Sequence, residues 1–115
     1  MDRFIDQLEI QKGAVDPRSV REFAFYLRDD AHLRASFEWF RAFPQDVKDS
    51  TVNKQTKLTM PVLAIGASGS LGGSVETQVD QYATNVTGKV IAQSGHWIYE
   101  EHPQQMTKVL LTFLR

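Results

Sequence analysis

Residues 94–103 read SGHWIYEEHP, and they follow a short apolar run, Val90-Ile91-Ala92. This pattern predicts a strand over residues 89–93, a tight turn that carries His96, and an amphipathic helix that begins at Pro103. In an open α/β sheet the chemistry lies outside the carboxyl ends of the strands, which is where this turn falls. Imidazole titrates near neutral pH and suits proton transfer. His96 is therefore the candidate catalytic base.

A second apolar run lies upstream and extends from Met60 to Gly66. Nearly uninterrupted runs of this kind are typical of parallel strands that are covered on both faces. A Gly/Ser loop over residues 67–73 and a helix that Ser74 caps and Gly88 ends would connect this strand to the next. Residues 58–115 thus predict a β-α-β-α unit of an α/β fold, with a short parallel sheet.

The first half of the chain predicts helices. Asp16 followed by Pro17 is a favourable helix start, and Asp29 can cap a second helix that Pro44 should end. Residues 45–58 show no clear period and predict a loose connection. Residues 1–57 hold ten Lys/Arg and ten Asp/Glu, whereas residues 58–115 hold three and four. We therefore divide the chain into a helical segment, 1–57, and a buried sheet unit, 58–115.

Composition excludes several classes of function. A net charge of −1 argues against nucleic-acid binding, and the lack of cysteine excludes thiolate catalysis. No apolar stretch is long enough for a membrane helix, so we expect a cytoplasmic protein with no membrane partner. The Gly/Ser loop lacks the first glycine of a dinucleotide fingerprint, and no acidic residue ends the following strand, so no cofactor is expected. The three histidines have no metal-binding spacing, and no metal site is expected.

Taken in order, these motifs resemble the C-terminal part of α/β-hydrolase-fold enzymes, in the epoxide hydrolase and haloacetate dehalogenase branch. The likeness rests on the MPVLAIG strand at 60–66, the GSLG loop at 69–72, and SGHW at 94–97 followed by paired acids and Pro103. Upstream, RASFEWFRAFP at 34–44 resembles a helix of the cap that roofs the substrate pocket in this family. The resemblance covers about residues 18–115.

The resemblance implies a partial α/β-hydrolase fold in which residues 1–57 are cap-like. It also implies that His96 is an inherited base, and that an aromatic face binds a small apolar ligand. The candidate ligand-binding residues are Tyr26, Phe37, Trp39, Phe40 and Trp97. In a short chain the same aromatic side chains could instead form core or an interface between two copies.

The nucleophile of such an enzyme stands on an elbow of the form Gly-x-nucleophile-x-Gly, and no such sequence occurs in the 115 residues. Loop 67–74 also lacks an acid that could orient His96. We therefore expect a truncated hydrolase-like protein without autonomous activity. The alternatives are a residual hydrolase of small apolar esters, epoxides or halo-acids, and a binding module for a small ligand or protein.

Two parallel strands are too few to form a stable sheet. Either the N-terminal helices cover the open edge, or another chain supplies the missing strands. We favour a homodimer that forms through the strand at 60–66 or through the aromatic face, because a strand this apolar is normally internal.

Overall fold

The computed structural model describes residues 2–115, so only Met1 of the predicted helical segment lies outside it. Three helices are followed by a βαβ unit and two further helices. Their bounds are α1 Asp2–Leu8, α2 Pro17–Tyr26, α3 Asp30–Asn53, β1 Val62–Ala67, α4 Ser74–Val79, β2 Val86–Ile91, α5 Ile98–Glu101 and α6 Pro103–Phe113. The predicted order of elements is therefore confirmed, with α1 and α5 added.

The two predicted helix starts are confirmed by side-chain caps. The Asp16 carboxylate accepts the backbone N–H of Arg18 at 2.6 Å, and Pro17 occupies the first turn of α2. The Asp29 carboxylate accepts the N–H groups of Ala31 and His32, at 2.9 and 3.1 Å. Each cap satisfies N–H groups that have no partner inside the helix.

The prediction that Pro44 ends the second long helix is wrong, and the loose connection predicted at 45–58 is wrong over residues 45–53, although residues 54–58 do lie outside a helix. Helix α3 continues through Pro44 to Asn53. Proline removes one backbone donor but does not prevent the residues after it from staying helical. Beyond it, the Gln45 amide donates to the Asp49 carboxylate at 2.8 Å, and the Thr51 hydroxyl donates to the Val47 carbonyl at 3.0 Å. Each of these contacts joins two residues four positions apart, the spacing of neighbours on one face of a helix, so both support the helix beyond Pro44.

Strands β1 and β2 pair in parallel, in a register that places Val62 beside Val86 and Ala67 beside Ile91. The second strand begins earlier than predicted, because Gly88 lies within β2 and does not end a helix. A Cβ at Gly88 would lie 2.0 Å from the Glu76 carboxyl group, whose Oε1 accepts the Gly88 N–H at 3.1 Å. The Glu76 carboxyl group thus lies against the strand at this glycine, and a larger side chain would displace it.

Helix α4 also begins differently from the prediction. Gly73 is its N-cap residue, and no side chain caps it. The Ser74 hydroxyl donates to the Leu71 carbonyl at 2.5 Å, so it closes the preceding turn and does not accept from the helix. Serine makes such local bonds to the backbone in turns as readily as it caps helices.

The buried apolar side chains are few and lie in two places. Ile5, Val15 and Val20 form a cluster against which Trp97 packs. The sheet unit buries Ala64, Ala67, Ala83, Ile91 and Met106, whereas α3 buries no residue. The radius of gyration is 16.6 Å, against about 13 Å for a self-contained domain of this length. None of the helices among residues 2–115 is both long and apolar enough to cross a membrane.

Candidate functional site

The histidine turn follows β2 and lies beside the loop that follows β1. The N–H of Ser68 donates to the Ile91 carbonyl at 2.9 Å, and the N–H of Gly69 donates to the Ser94 carbonyl at 2.8 Å. Ser94 is completely buried, and Gln93 takes a positive φ of 55° to make the turn. The structure thus places the turn at the carboxyl edge of the sheet, as the sequence predicts.

The His96 side chain is exposed and lies against Trp97. Its ring meets the indole edge-on, with ring centres 5.0 Å apart and planes at 85°. The His96 backbone N–H donates to the Leu8 carbonyl at 2.8 Å. Among the side chains described in residues 2–115, no carboxylate lies within 4 Å of the imidazole nitrogens. The imidazole is therefore available to solvent, and its predicted role as a base needs an acid that these contacts do not supply.

Trp97 joins the histidine turn to helix α1. Its indole N–H donates to the Ile5 carbonyl at 3.2 Å, and its ring meets Phe4 edge-on at 6.5 Å. The side chain is half-buried against the cluster around Ile5. These contacts fix the indole on which the His96 ring rests, and a part for Trp97 in ligand binding stays a prediction.

The other predicted ligand-binding residues lie on the long helices and are exposed. Tyr26 meets Phe25 and His32 edge-on, at 5.9 and 6.0 Å, where α2 gives way to α3. Phe40 meets Phe43 at 5.5 Å, while Phe37 and Trp39 face solvent. Within the described part of the chain, the ring contacts bring His96 to Trp97 but not to the α3 aromatics.

Glu101 is the residue that sequence reasoning missed. We interpreted it as a charge that stabilises the start of the last helix, but its carboxylate is buried and contacts two distant segments. Oε1 accepts the N–H groups of Gly95 and Trp97, at 2.9 and 3.3 Å. Oε2 accepts those of Ile10 and Gln11, at 2.9 and 2.8 Å. The pair of acids before Pro103 was the only signal in the sequence, and it did not reveal these partners.

The environment of Glu101 favours its ionised form. Burial raises the pKa of the carboxyl group, but the N–H bonds from Gln11, Gly95, Ile10 and Trp97 together outweigh burial. The net result is a pKa below the ordinary value of 4.5. The negative charge is therefore held by backbone dipoles alone.

Acid should weaken the fold through this residue. Because the folded-state pKa of Glu101 is lowered, its stabilisation is complete above the ordinary value of 4.5 and is lost as the pH falls through the folded-state value. We expect Glu101→Gln to flatten the fall of the unfolding free energy below pH 4.5, relative to wild type. Urea titrations at pH 7, 5, 4 and 3 measure this. Glu100→Gln is the control and should behave as wild type. If the unfolding free energy of Glu101→Gln fell with pH as steeply as that of wild type, the prediction would be contradicted.

Glu9 holds the chain that follows α1 in a comparable way. Its carboxylate is buried and accepts the N–H groups of Gly13 and Val15, at 2.8 and 2.9 Å. The Lys12 ammonium donates to the Glu9 carbonyl at 2.9 Å. This turn brings Val15 into the cluster with Ile5 and positions the segment that passes over the histidine turn.

The glycines of the Gly/Ser loop have packing roles. A Cβ at Gly66 would lie 1.9 Å from the Gly72 carbonyl oxygen, and one at Gly69 would lie 2.2 Å from the Ile10 side chain. The loop therefore folds back on its own strand and against the N-terminal segment. Within residues 2–115, no three His, Asp or Glu side chains are grouped to hold a metal ion.

Comparison with known proteins relates this arrangement to epoxide hydrolases. The chain is 29% identical over 98 residues to a soluble epoxide hydrolase of Corynebacterium sp. strain C12, a match that covers 83% of this chain and 34% of the relative. The chain thus spans about a third of the length of this curated relative. No protein-family model matches the chain.

Solved structures agree over nearly the whole chain. Wild-type Cfl2 from Burkholderia cenocepacia superposes with a TM-score of 0.89 at 30% identity, covering 99% of this chain and 39% of that one. The epoxide hydrolase CorEH, solved without ligand, gives a TM-score of 0.88 at 24% identity, covering 99% and 42%. This chain therefore has the fold of the C-terminal portion of an α/β-hydrolase, similar to that of the epoxide hydrolases.

Proposed function

We propose that this segment supplies the histidine base and a cap-like roof to an α/β-hydrolase site, and that it does not hydrolyse substrate alone. The position of His96, on the turn after β2, supports the first part. The lack of a Gly-x-nucleophile-x-Gly sequence in the 115 residues supports the second. A triad without its nucleophile loses most of its rate. The completed site would act on small apolar esters, epoxides or halo-acids.

The observation that carries this proposal is the amount of surface left uncovered. The chain exposes 8738 Å², whereas a folded monomer of its mass exposes about 6,400 Å². The excess is more than twice the roughly 800 Å² that one partner buries in a standard interface. An uncovered apolar surface of this size is typical of a fold that is completed by contact with another domain or another chain.

Two regions contribute to this uncovered surface. In the described sheet β1 pairs with β2 alone, so one edge of each apolar strand keeps free N–H and C=O groups. The long helices of the first half are not among the main neighbours of β1, which are β2 and α4. The second region is the aromatic face of α3, whose residues Phe37, Trp39, Phe40 and Phe43 are all exposed.

We assign a second copy of the chain as the occupant of the α3 face. Phe37, Phe40 and Phe43 recur at spacings of three along a helix of 24 residues, so they form one stripe. A twofold axis would place the stripe of one copy on that of the other, which is the symmetric contact that homodimers use. Sedimentation equilibrium at micromolar concentration should give about twice the 13.1 kDa of the chain. A monomer at every concentration would overturn the dimer.

The chain alone should show no hydrolysis that depends on His96. We expect p-nitrophenyl acetate and styrene oxide to disappear at the same rates with wild type and with His96→Ala, because no positioned nucleophile is present. His32→Ala is the matched control, because the His32 imidazole is exposed and lies away from the histidine turn, and any exposed imidazole can itself cleave activated esters. Turnover that is lost in His96→Ala and kept in His32→Ala would establish the residual hydrolase instead.

A further inference from the structure

We infer that Glu101 is the positioning residue of the histidine turn, because its carboxylate holds the backbone on both sides of His96 and ties it to the segment that follows α1. This inference rests on the proposed role of His96 as a base. It adds a residue that touches neither the imidazole nor a substrate, and it assigns the N-terminal segment to the wall of the site.

The first step is the backbone on either side of His96. Three successive N–H groups, those of residues 95, 96 and 97, point towards acceptors outside the turn. The first and third reach Glu101 Oε1, and the middle one reaches the Leu8 carbonyl at 2.8 Å. With all three donors bound, the His96 Cα has a fixed position and direction. Its ring then rests edge-on against Trp97.

The second step is the bridge to the N-terminal segment. Glu101 Oε2 accepts from Ile10 and Gln11, so one carboxylate closes a contact between residues about ninety positions apart. The Gln11 side chain adds a bond to the Gln93 carbonyl at 3.1 Å, and the His102 ring lies 3.0 Å from the same oxygen. The segment at 8–11 is thereby held against the turn from the side of α1.

The third step is why a carboxylate is needed. An ionised carboxylate accepts about four hydrogen bonds, and here two N–H groups converge on each oxygen. Glutamine has the same shape, but its NH2 group is a donor. In Glu101→Gln, one of the two N–H pairs must therefore face another donor and lose its acceptor. Glu101→Asp keeps both oxygens but is one methylene shorter, so it cannot hold both segments at these distances.

Amide hydrogen exchange and NMR spectroscopy on the full chain test the inference. In Glu101→Ala, which removes both acceptor oxygens, we expect the amides of residues 10, 11, 95 and 97 to exchange about ten- to a hundredfold faster than in wild type. The nuclear Overhauser effects between the His96 and Trp97 rings should weaken. The amides of β1 and β2 should be unchanged, and Glu100→Gln, which alters an exposed neighbour, should match wild type throughout.

The ring contact separates positioning from a structural role. If Glu101 only ties down the N-terminal segment, the amides of residues 10 and 11 will change while the His96–Trp97 contact stays as in wild type, and the inference fails. It also fails if all four amides keep their wild-type rates. Should Glu101→Ala not fold, Glu101→Asp, which is too short to hold both segments, provides the same measurements. None of these readouts requires turnover, so the hydrolysis assays can fail without deciding this point.

Discussion

Gly95→Ala is expected to lower the unfolding free energy by about 3 kcal/mol, the upper end for steric overpacking. A Cβ at Gly95 would lie 2.2 Å from the Leu8 carbonyl oxygen, 2.9 Å from the Ile10 nitrogen and 3.0 Å from Glu101 Oε1. The nearest two are backbone atoms, which cannot move without breaking the bonds that hold the histidine turn. Urea unfolding followed by tryptophan fluorescence and by circular dichroism measures the loss.

Gly73→Ala is the matched control for this substitution. A Cβ there has no heavy atom within 4 Å, and its φ of −68° suits alanine. Because alanine is a poorer N-cap residue than glycine, we expect a loss of stability of no more than about 1 kcal/mol. If Gly95→Ala were as stable as Gly73→Ala, residues 8–10 would not pack against the histidine turn as closely as described.

Phe40→Asp is expected to convert the proposed dimer into a monomer. The Phe40 ring is exposed and contacts Phe43 at 5.5 Å, so it stands within the aromatic stripe that we assign to the interface. A charge among apolar rings at the centre of an interface costs about 2 kcal/mol or more, and a symmetric dimer contains two such charges, so the dissociation constant should weaken by about a thousandfold. Sedimentation equilibrium across a concentration series measures the shift.

Ala35→Glu adds the same charge to the same helix on the side away from the stripe, and it should leave the dissociation constant unchanged. Because α3 buries no residue, neither substitution should alter the circular dichroism of the folded chain. A dimer that persists in Phe40→Asp would show that the α3 face is not the interface. The open edge of β1, the other dimer contact that the sequence suggests, would then be the candidate interface.

Local patterns in the sequence were enough to predict most of the elements. Apolar runs predicted both strands, and Asp-Pro and Asp-Asp pairs predicted the starts of α2 and α3, because strand burial and helix capping depend on neighbours in the chain. The errors at Pro44 and Gly88 have a common cause. Both residues usually end helices, but at Pro44 the following turns stay helical, and Gly88 serves the approach of the Glu76 side chain.

The sequence by itself determined the fold class and pointed to His96. Strand, glycine loop, strand and Gly-His turn are each specified by residues that are adjacent in the chain, and their order can be followed along it. Only the tertiary structure decided how His96 is held. The contacts of Glu101 join positions 10 and 11 to positions 95 and 97, and no pattern with a period of two or 3.6 residues carries information over that distance. Likewise, the pattern on α3 predicted aromatic side chains, but only the folded chain showed that they remain uncovered.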